Sequence, residues 1–414
     1  MPTHSYDVAI VGAGAAGLAT AIFARRLNPN RSIAVLDGAK KIGAKILVSG
    51  GGRCNVTNAI VTEQDFWGGR STIVRNVLRA FGVPETVEFF AEIGVPLHEE
   101  HDGKLFPDSN RARDVLDALL REAERVGVVV LSDHRVDGVL ANTVFTLVTR
   151  HGPIVATRLV LATGGRSLPK SGSDGTGYDI ARTLGHTIVA TTPALAPLVL
   201  ENHEHGDLSG VSHDAELTVW VDDRVLTRLS GSLLWTHFGL SGPVVLNASR
   251  HWARAKLENK RVGLTLNCSP TSSFDAADHH VVGLIATRPR ASIPTILSTF
   301  LPGAVAAALA RQLGIDPDAG ASHLTRTDRR RLVHGLVEWK LPISDTRGYN
   351  YAEATAGGVE LTEIDPFTME SRMCPGLYLV GEILDVDGRI GGFNFQWAWS
   401  SGHVAGRAIA QGSP

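Results

Sequence analysis

The first forty residues alternate apolar runs with a glycine- and alanine-rich stretch. Residues 6–11 form an apolar, β-branched run, and residues 32–36 form a second one. Helix-favouring residues lie between them and extend to Arg26. Neither run alternates with polar positions, which is typical of strands that are covered on both faces of a parallel sheet. The pattern therefore predicts a β-strand, an α-helix and a second, parallel β-strand.

Farther along, the hydrophobic pattern changes between helical and strand periods. Residues 43–58 are rich in Gly, Lys and Ser and are predicted to be a loop, and helical periods follow at residues 83–93 and 111–127. Strands are predicted at residues 128–131, 135–140, 145–149 and 154–163.

The second half of the chain has a different character. Residues 217–221 and 225–229 flank a polar Asp-Asp-Arg turn and predict a hairpin. Residues 272–340 lose the strand signal and are predicted to be helical, including an Ala-rich segment at 303–313 and an Arg-rich segment at 328–339. A strand at 376–380 and a final helix from about 394 to 410 are predicted near the end.

The glycines after the first strand have the spacing of a dinucleotide-binding turn. Gly-x-Gly-x-x-Gly follows a predicted strand, opens a predicted helix, and is followed by an acidic residue at the end of the next strand. This context is the one that the fingerprint requires, since the helix N-terminus offers N–H groups to phosphates and the acid accepts ribose hydroxyls. The candidate residues are Gly12, Gly14, Ala15, Ala16, Gly17 and Asp37.

Two later strands also end in glycines. The strand at 154–163 ends in Thr163, Gly164 and Gly165, and the strand at 376–380 is followed by Gly381, Glu382 and Asp385. Three such strand ends favour a cofactor longer than the NAD that one βαβ unit holds, and a carboxylate near the third suits a ribityl hydroxyl. The segment from 391 to 394 is expected to begin the last helix, where Gly392 would allow close approach of a flavin.

Composition narrows the class of protein. With 414 residues, about two or three domains are expected, and 43% hydrophobic with 20% charged residues is typical of a globular protein. Forty Lys and Arg against 42 Asp and Glu argue against a bulk nucleic-acid binder. The three cysteines form no C-x-x-C pair, so we expect no metal site or disulfide framework, and a cytoplasmic location fits. No apolar run reaches the roughly 18 residues of a membrane span, so no membrane association is expected.

Six segments together resemble one known family, the BaiN/YhiN-like flavoproteins, a branch of the two-dinucleotide-binding-domain flavoprotein superfamily. The most specific is K-x-x-x-SGGGRCN-x-TN at residues 45–58. The others are ATGG at 162–165, GS-x-G-x-GY at 172–178, THFGLSGP at 236–243, GE-x-x-D at 381–385 and GGFNFQWA at 391–398.

The resemblance implies an α/β fold with three parts and a non-covalently bound FAD. The expected FAD-binding domain is Rossmann-type and glutathione-reductase-like and covers residues 1–190 and 350–414. A β-rich, barrel-like domain is expected at 191–270 and 340–349, and a helical domain at 271–339.

The block around the three consecutive glycines is consistent with a flavin site. Successive glycines expose backbone N–H groups that can bind an anion or a carbonyl. Arg53 can neutralise pyrophosphate or stabilise a reduced flavin, and Asn55 and Asn58 can fix the loop or meet polar ring edges. Cys54 has no neighbouring cysteine as a redox partner, so a small buried packing residue is the preferred interpretation. The aromatic run at 393–399 is likewise interpreted as core.

The complete set of candidate site residues extends these motifs. No catalytic residue is assigned; His237 is a candidate proton donor, although a structural histidine is the simpler interpretation, and Tyr349 and Tyr351 are candidates to line a substrate cavity. The further candidate cofactor-binding residues are Lys45, Ser49, Gly50, Gly51, Gly52, Arg53, Cys54, Asn55, Val136, Thr163, Gly164, Gly165, Gly381, Glu382, Asp385, Gly391, Gly392, Phe393 and Asn394.

The functional prediction is an FAD-dependent oxidoreductase that uses NADH or NADPH to reduce a small or steroid-like molecule. No second G-x-G-x-x-G lies in a strand–helix context, so a nicotinamide donor would bind transiently. The alternatives are an aminoacetone-oxidase-like enzyme that uses O₂, and a flavin-bound RNA-associated or redox-sensing protein. Near-zero net charge counts against nucleic acid as a partner, and the oligomeric state stays open.

Overall fold

A computed structural model describes residues 4–201, 205–269 and 273–412. The chain forms two compact units. The first contains residues 1–191 and 353–414, and the second contains residues 192–352. The second unit is therefore a continuous insertion into the first.

The elements follow the chain in three stretches. From His4 to Ala194 they are β1 (His4–Val11), α1 (Ala15–Leu27), β2 (Ile33–Leu36), α2 (Ala44–Gly52), β3 (Thr57–Asn58), β4 (Phe66–Gly68), α3 (Ser71–Ala80), α4 (Val83–Glu92), β5 (Leu97–Glu99), β6 (Lys104–Pro107), α5 (Ala112–Arg125), β7 (Val129–Leu131), β8 (Val136–Ala141), β9 (Phe145–Thr149), β10 (Ile154–Leu161), α6 (Thr176–Thr183) and β11 (Ile188–Ala194). The insertion contains β12 (Leu198–Leu200), β13 (Ser212–Val221), β14 (Arg224–Thr236), β15 (Gly239–Ser241), α7 (Pro243–Leu257), β16 (Val262–Asn267), α8 (Phe274–Thr287), α9 (Ile293–Leu297), α10 (Gly303–Gln312), α11 (Arg326–Val337), β17 (Trp339–Leu341) and β18 (Ile343–Thr346). The chain ends with β19 (Ala354–Val359), β20 (Leu377–Leu379), β21 (Val386–Gly388) and α12 (Phe393–Gln411).

The first unit is organised around a mostly parallel sheet. Its parallel strands run in the order β7-β2-β1-β10-β20, and β9 and β8 add an antiparallel edge beside the start of β10. Val11 lies opposite both Leu36 and Leu161, and Leu161 lies opposite Leu379. The carboxyl ends of these four strands therefore lie side by side. All of β2 is fully buried, as the uninterrupted apolar pattern predicted.

The last helix packs directly against the first. An added Cβ on Gly402 would lie 2.9 Å from the Ala16 carbonyl oxygen, and one on Gly406 would lie 2.8 Å from the Thr20 carbonyl oxygen. Only glycine at these two α12 positions lets the α1 backbone approach so closely. The predicted core role of the aromatic run is confirmed for Phe393, Trp397 and Trp399, each at most 1% exposed.

The second unit is built on an antiparallel sheet with the order β17-β16-β13-β14-β15-β12-β18. The predicted hairpin is confirmed and is longer than the pattern indicated, since β13 and β14 pair from Ser212 to Val221. Helices α7 to α11 and this sheet share one continuous hydrophobic core that includes Trp235 and Trp339. The division of the insertion into a β-rich and a helical domain stays a prediction.

The prediction of a loop at residues 43–58 is wrong over its first half. Residues 44–52 are assigned to α2, whose end departs from helical geometry at Ser49, Gly50 and Gly51. Ile46 is the helix's only buried residue, so no apolar stripe marks the helix in the sequence. Helices α3 and α7 were not predicted either. Among the described residues, no helix has the length and apolarity needed to cross a membrane.

The α1–α12 contact predicts that a Gly→Ala substitution in α12 lowers stability, which is the opposite of its usual effect in a helix. In a helix interior, Gly→Ala normally stabilises by about 0.5–1 kcal/mol. Gly406→Ala should instead destabilise by about 1–3 kcal/mol, because its methyl group meets α1 backbone atoms. The measurement is urea unfolding followed by circular dichroism.

Gly283→Ala is the matched control, because Gly283 lies in α8 with no heavy atom of the described residues within 4 Å of an added Cβ. We expect Gly283→Ala to raise the free energy of the unfolding transition in which α8 takes part. A stabilising Gly406→Ala would show that the helix contact tolerates a side chain.

Candidate functional site

The turn after β1 separates two kinds of glycine. An added Cβ on Gly12, which has φ +107°, would clash with the Ala162 carbonyl oxygen, and one on Gly17 would clash with the Gly12 carbonyl oxygen. These two glycines are fixed by packing. Gly14 is the N-cap of α1, and no described heavy atom lies within 4 Å of a Cβ built on it. Open space therefore faces the helix N-terminus, where N–H groups and the helix dipole favour an anion.

Asp37 braces this turn from the end of β2. Its carboxylate accepts the Ala13 N–H at 2.9 Å and the Ala39 N–H at 2.8 Å. Its main-chain carbonyl accepts the His134 N–H at 2.8 Å, just before Val136, which is buried at the start of β8. Each carboxylate oxygen keeps a lone pair for a ligand hydroxyl. Asp37 can therefore hold the turn and a ribose at once.

The turn after β10 is packed by its glycines. A Cβ on Gly164 would lie 2.6 Å from the Ser173 hydroxyl, and Cβ atoms on Gly165 and Gly177 would clash with Thr355 and Thr163 side chains. The two motifs at 162–165 and 172–178 are therefore adjacent in the fold.

A polar network joins three of the motifs at the strand ends. Lys45 donates to the Ser167 hydroxyl at 2.7 Å and forms an ion pair with Glu382. The Glu382 carboxylate also accepts the Ser167 O–H at 2.8 Å and the Thr355 N–H at 2.9 Å. Next to it, a Cβ on Gly381 would lie 2.8 Å from Ala16 Cβ in the first turn of α1. The predicted candidates Lys45 and Glu382 thus lie together, and Ser167 and Thr355, which no motif singled out, complete the network.

Two of those residues, Ser167 and Thr355, were missed by the sequence analysis. Ser167 lies two residues after Gly165, so its proximity to that motif was an available signal. Thr355 carried none, because it is brought there by β19.

The three consecutive glycines require a left-handed backbone. Gly50, Gly51 and Gly52 have φ values of +55°, +68° and +85°. No described heavy atom lies within 4 Å of a Cβ on Gly51. Arg53 then donates to Glu100 at 2.6 Å and lies 4.0 Å from the centre of the Phe106 ring. This hydrogen bond lowers the pKa of Glu100.

Cys54 is a packing residue. Its thiol is fully buried, and this burial raises its pKa to about 12, with a smaller opposing effect from a hydrogen bond with Ser49. A reactive thiolate is disfavoured in such surroundings.

Two asparagines of the same block differ in their hydrogen bonding. The Asn58 amide donates to the Asp102 carbonyl at 2.9 Å and to the Gly391 carbonyl at 3.1 Å. In contrast, Asn55 Oδ1 is buried and has no hydrogen-bond partner among the residues that the structure describes. A buried acceptor without a partner is costly, so Asn55 is suited to a donor on a bound ligand.

The C-terminal motif is held mainly by the protein itself. A Cβ on Gly392 would clash with the Thr57 backbone, so this glycine already has a packing role, and its expected role in admitting a flavin stays a prediction. Asn394 both donates to and accepts from the Gly388 backbone, at 3.0 and 2.8 Å. Gly391 and Phe393 flank this start of α12, and Asp385 is 7% exposed.

The remaining candidates belong to the second unit. His237 is exposed in the turn between β14 and β15, with its ring edge-on to Phe238 at 5.1 Å. Tyr351 is 51% exposed.

The first unit fits an extended dinucleotide such as FAD. It presents an open helix N-terminus at Gly14, a braced carboxylate at Asp37 and a buried unpaired acceptor at Asn55. These groups could hold phosphates, ribose hydroxyls and a ring N–H, respectively.

Comparisons with known proteins agree with this geometry. A family model described as "HI0933-like protein Rossmann domain" matches residues 6–408. The chain is 34% identical to a 3-dehydro-bile acid delta(4,6)-reductase of Clostridium scindens, covering 98% of this chain and 99% of the relative. It is also 34% identical to a ribosomal RNA dihydrouridine synthase of Escherichia coli, covering 96% of each chain. A solved E. coli quinol fumarate reductase has a similar fold, with a TM-score of 0.52 and 17% identity over 99% of this chain and 71% of that chain.

Because the two asparagines differ in their hydrogen bonds, we expect Asn55→Ala to change mainly FAD affinity and Asn58→Ala to change mainly protein stability. Asn55→Ala should not lower the stability of the cofactor-free protein, because it removes a buried acceptor that has no partner among the described residues. It should weaken FAD binding by about tenfold. Thermal unfolding without FAD and fluorescence titration with FAD measure the two effects.

Asn58→Ala is the control, since it breaks three hydrogen bonds in the cofactor-free protein and should cost about 1–3 kcal/mol of stability. Unchanged FAD affinity in Asn55→Ala would remove Asn55 from the cofactor site.

A second comparison sets Asp37 against Asp7, another carboxylate that connects the segments of β1 and β2. Asp37→Ala should weaken FAD binding by about 1–3 kcal/mol, because both the ribose acceptor and the brace on the turn are lost. Asp7 accepts the Ser32 N–H at 2.7 Å and so bridges the two chain segments where the pairing of β1 with β2 begins. Asp7→Ala should lower stability and leave FAD affinity unchanged. Equal FAD affinities in the two variants would contradict the assignment of Asp37.

Proposed function

Because the chain belongs to the HI0933-like Rossmann family and is an FAD-dependent oxidoreductase, we propose that it reduces a C=C bond conjugated to a carbonyl group in a small, steroid-like molecule. The electron donor in this proposal is NADH or NADPH.

The observation that carries the proposal is the chemistry common to two kinds of relative. One is named a reductase of 3-dehydro-bile acids at delta(4,6), and the other a synthase of dihydrouridine in ribosomal RNA. A 3-dehydro-delta(4,6) steroid carries C=C bonds conjugated to its ketone, and making dihydrouridine from uridine saturates a C=C bond beside a carbonyl. Both reactions add two electrons and two protons across an activated double bond.

The first unit supplies the residues that would hold FAD in this reaction. The N–H groups at Gly14 and the start of α1 would bind its phosphates, and Asp37 would accept its ribose hydroxyls. Asn55 Oδ1 and the backbone of Gly50–Gly52 would face polar groups of the flavin half. When bound, FAD supplies two-electron redox chemistry, which no amino-acid side chain provides.

The network around Glu382 has a supporting role in the proposal. Lys45 is half-buried and is held by both Ser167 and Glu382. Because Glu382 compensates the charge of Lys45, the network would fix the carboxyl ends of β10 and β20 around a bound cofactor and present an oriented ammonium group there.

A uridine base in RNA is the second candidate substrate, and it is favoured by the relatives of that name. The net charge of −2 favours the small molecule, since proteins that bind RNA through its phosphates usually carry a strongly basic surface. Oxidation of an amine such as aminoacetone by O₂ is the third.

The test is anaerobic spectroscopy of the FAD-loaded protein. NADH or NADPH should bleach the visible flavin absorbance. A steroid dienone added next should restore it, and mass spectrometry should show a product heavier by two hydrogens. A steroid without the conjugated double bonds is the control and should leave the flavin reduced.

Each alternative has its own outcome in the same experiment. Reoxidation only by a uridine-containing ribosomal RNA fragment would replace the small substrate with RNA. Bleaching by aminoacetone in the absence of a nicotinamide, followed by reoxidation with O₂, would support the oxidase. A flavin that neither nicotinamide reduces would overturn the proposed donor.

A further inference from the structure

An arginine in the second unit lies between two aromatic rings. The guanidinium carbon of Arg347 is 4.2 Å from the centre of the Phe238 ring and 3.5 Å from the centre of the Tyr351 ring. Within residues 4–201, 205–269 and 273–412, its side chain forms no salt bridge and no hydrogen bond. Its positive charge is therefore positioned by ring faces alone.

The backbone around β12 builds this arrangement. In the sheet, β12 lies between β15 and β18. The Leu200 N–H donates to the Phe238 carbonyl at 3.1 Å, and the Arg347 N–H donates to the Pro197 carbonyl at 2.9 Å. The main chains of Phe238 and Arg347 are thus both bonded to the segment 197–200 that contains β12.

A tight turn adds the second ring. Gly348 has φ +69°, a conformation that favours glycine, and its carbonyl accepts the Tyr351 N–H at 3.1 Å. The chain reverses there and returns the Tyr351 ring to the guanidinium. Because the two rings already contact the guanidinium, part of the side-chain entropy of Arg347 is lost before a ligand binds.

The nearest carboxylate in the sequence does not neutralise this arginine. Asp345 Oδ1 instead accepts the Thr346 N–H at 2.7 Å. Elsewhere in this unit, Arg329 forms a two-point pair with Asp278 at 2.9 and 3.3 Å. Arg347 therefore differs from an arginine whose fork is already occupied.

Ring stacking uses the faces of a guanidinium and leaves its edge unused. That edge carries N–H donors in a fork that matches the two oxygens of a carboxylate or a phosphate. Half of the Tyr351 surface is exposed, which leaves an aromatic surface for a flat or apolar part of the same ligand.

We propose that Arg347, Phe238 and Tyr351 form a binding site for the oxyanion of a ligand, either a carboxylate or a phosphate. The guanidinium edge binds the anion, and the Tyr351 ring contacts the adjoining carbon skeleton or base. The site goes beyond the proposed reaction, since it concerns recognition by the second unit and requires no electron transfer.

The test compares charged probes with their neutral counterparts. Cholate is paired with its methyl ester, and uridine monophosphate is paired with uridine. Each is titrated by calorimetry into the full-length, FAD-loaded protein without an electron donor. We expect the charged member of at least one pair to bind about tenfold more tightly, the size of a charged hydrogen bond. Arg347→Gln should remove that difference.

Arg330→Gln is the matched control. Arg330 is exposed on α11 of the same unit, and its guanidinium carbon lies 5.7 Å from the centre of the Phe274 ring. The substitution therefore removes the same charge from another arginine–aromatic pair. It should keep the wild-type preference. If Arg347→Gln fails to fold, Tyr351→Leu takes its place and should weaken binding of the charged probe about two- to fivefold.

Each outcome decides the proposal. A preference for cholate alone identifies a carboxylate ligand, and one for uridine monophosphate alone identifies a phosphate. No preference in either pair, or an equal loss in Arg330→Gln, overturns the site. Because no turnover is measured, these results are independent of whether the protein reduces a C=C bond.

Discussion

The contact between α1 and α12 is the constraint on which the first unit depends. Gly402 and Gly406 let the last helix lie directly on the helix that begins at the dinucleotide-binding turn. The same helix sends Trp397 to the Gly381 carbonyl and Trp399 to the Val56 carbonyl, at 3.1 and 2.9 Å. One element therefore fixes the first strand end, the third strand end and the glycine-rich block relative to one another.

A buried polar group completes this arrangement. Gln396, fully buried in α12, accepts the Thr57 O–H at 2.6 Å and donates to the Phe81 carbonyl at 3.1 Å. Such a group is tolerated only when its bonds are made, so it specifies one register of α12 against β3. The candidate cofactor residues Asp37, Lys45 and Glu382 are likewise held in place by hydrogen bonds to other protein groups.

The parts of the fold that could be predicted are those with a local signal. The β1–α1–β2 unit has uninterrupted apolar strands and glycines at fixed spacing, and a parallel sheet then places the ends of β10 and β20 beside it. The motifs named the candidate site residues, and the structure brings Lys45 and Glu382 together. Ser167, Thr355 and the helix α2 were missed because their positions are set by contacts with distant segments, and the packing role of Gly392 depends on Thr57. The pairing of Arg347 with Phe238 has the same origin, since a strand between them brings them together.

The position of β20 and α12 at the end of the chain also sets the order in which the protein can be completed during synthesis. The second unit is one continuous segment, so all of its residues leave the ribosome before those of β20. The first unit must wait with its parallel sheet short of one strand and α1 without its partner helix. The edge of β10 that β20 covers therefore stays accessible while the insertion is translated, and this unit is exposed to misassembly until β20 and α12 emerge.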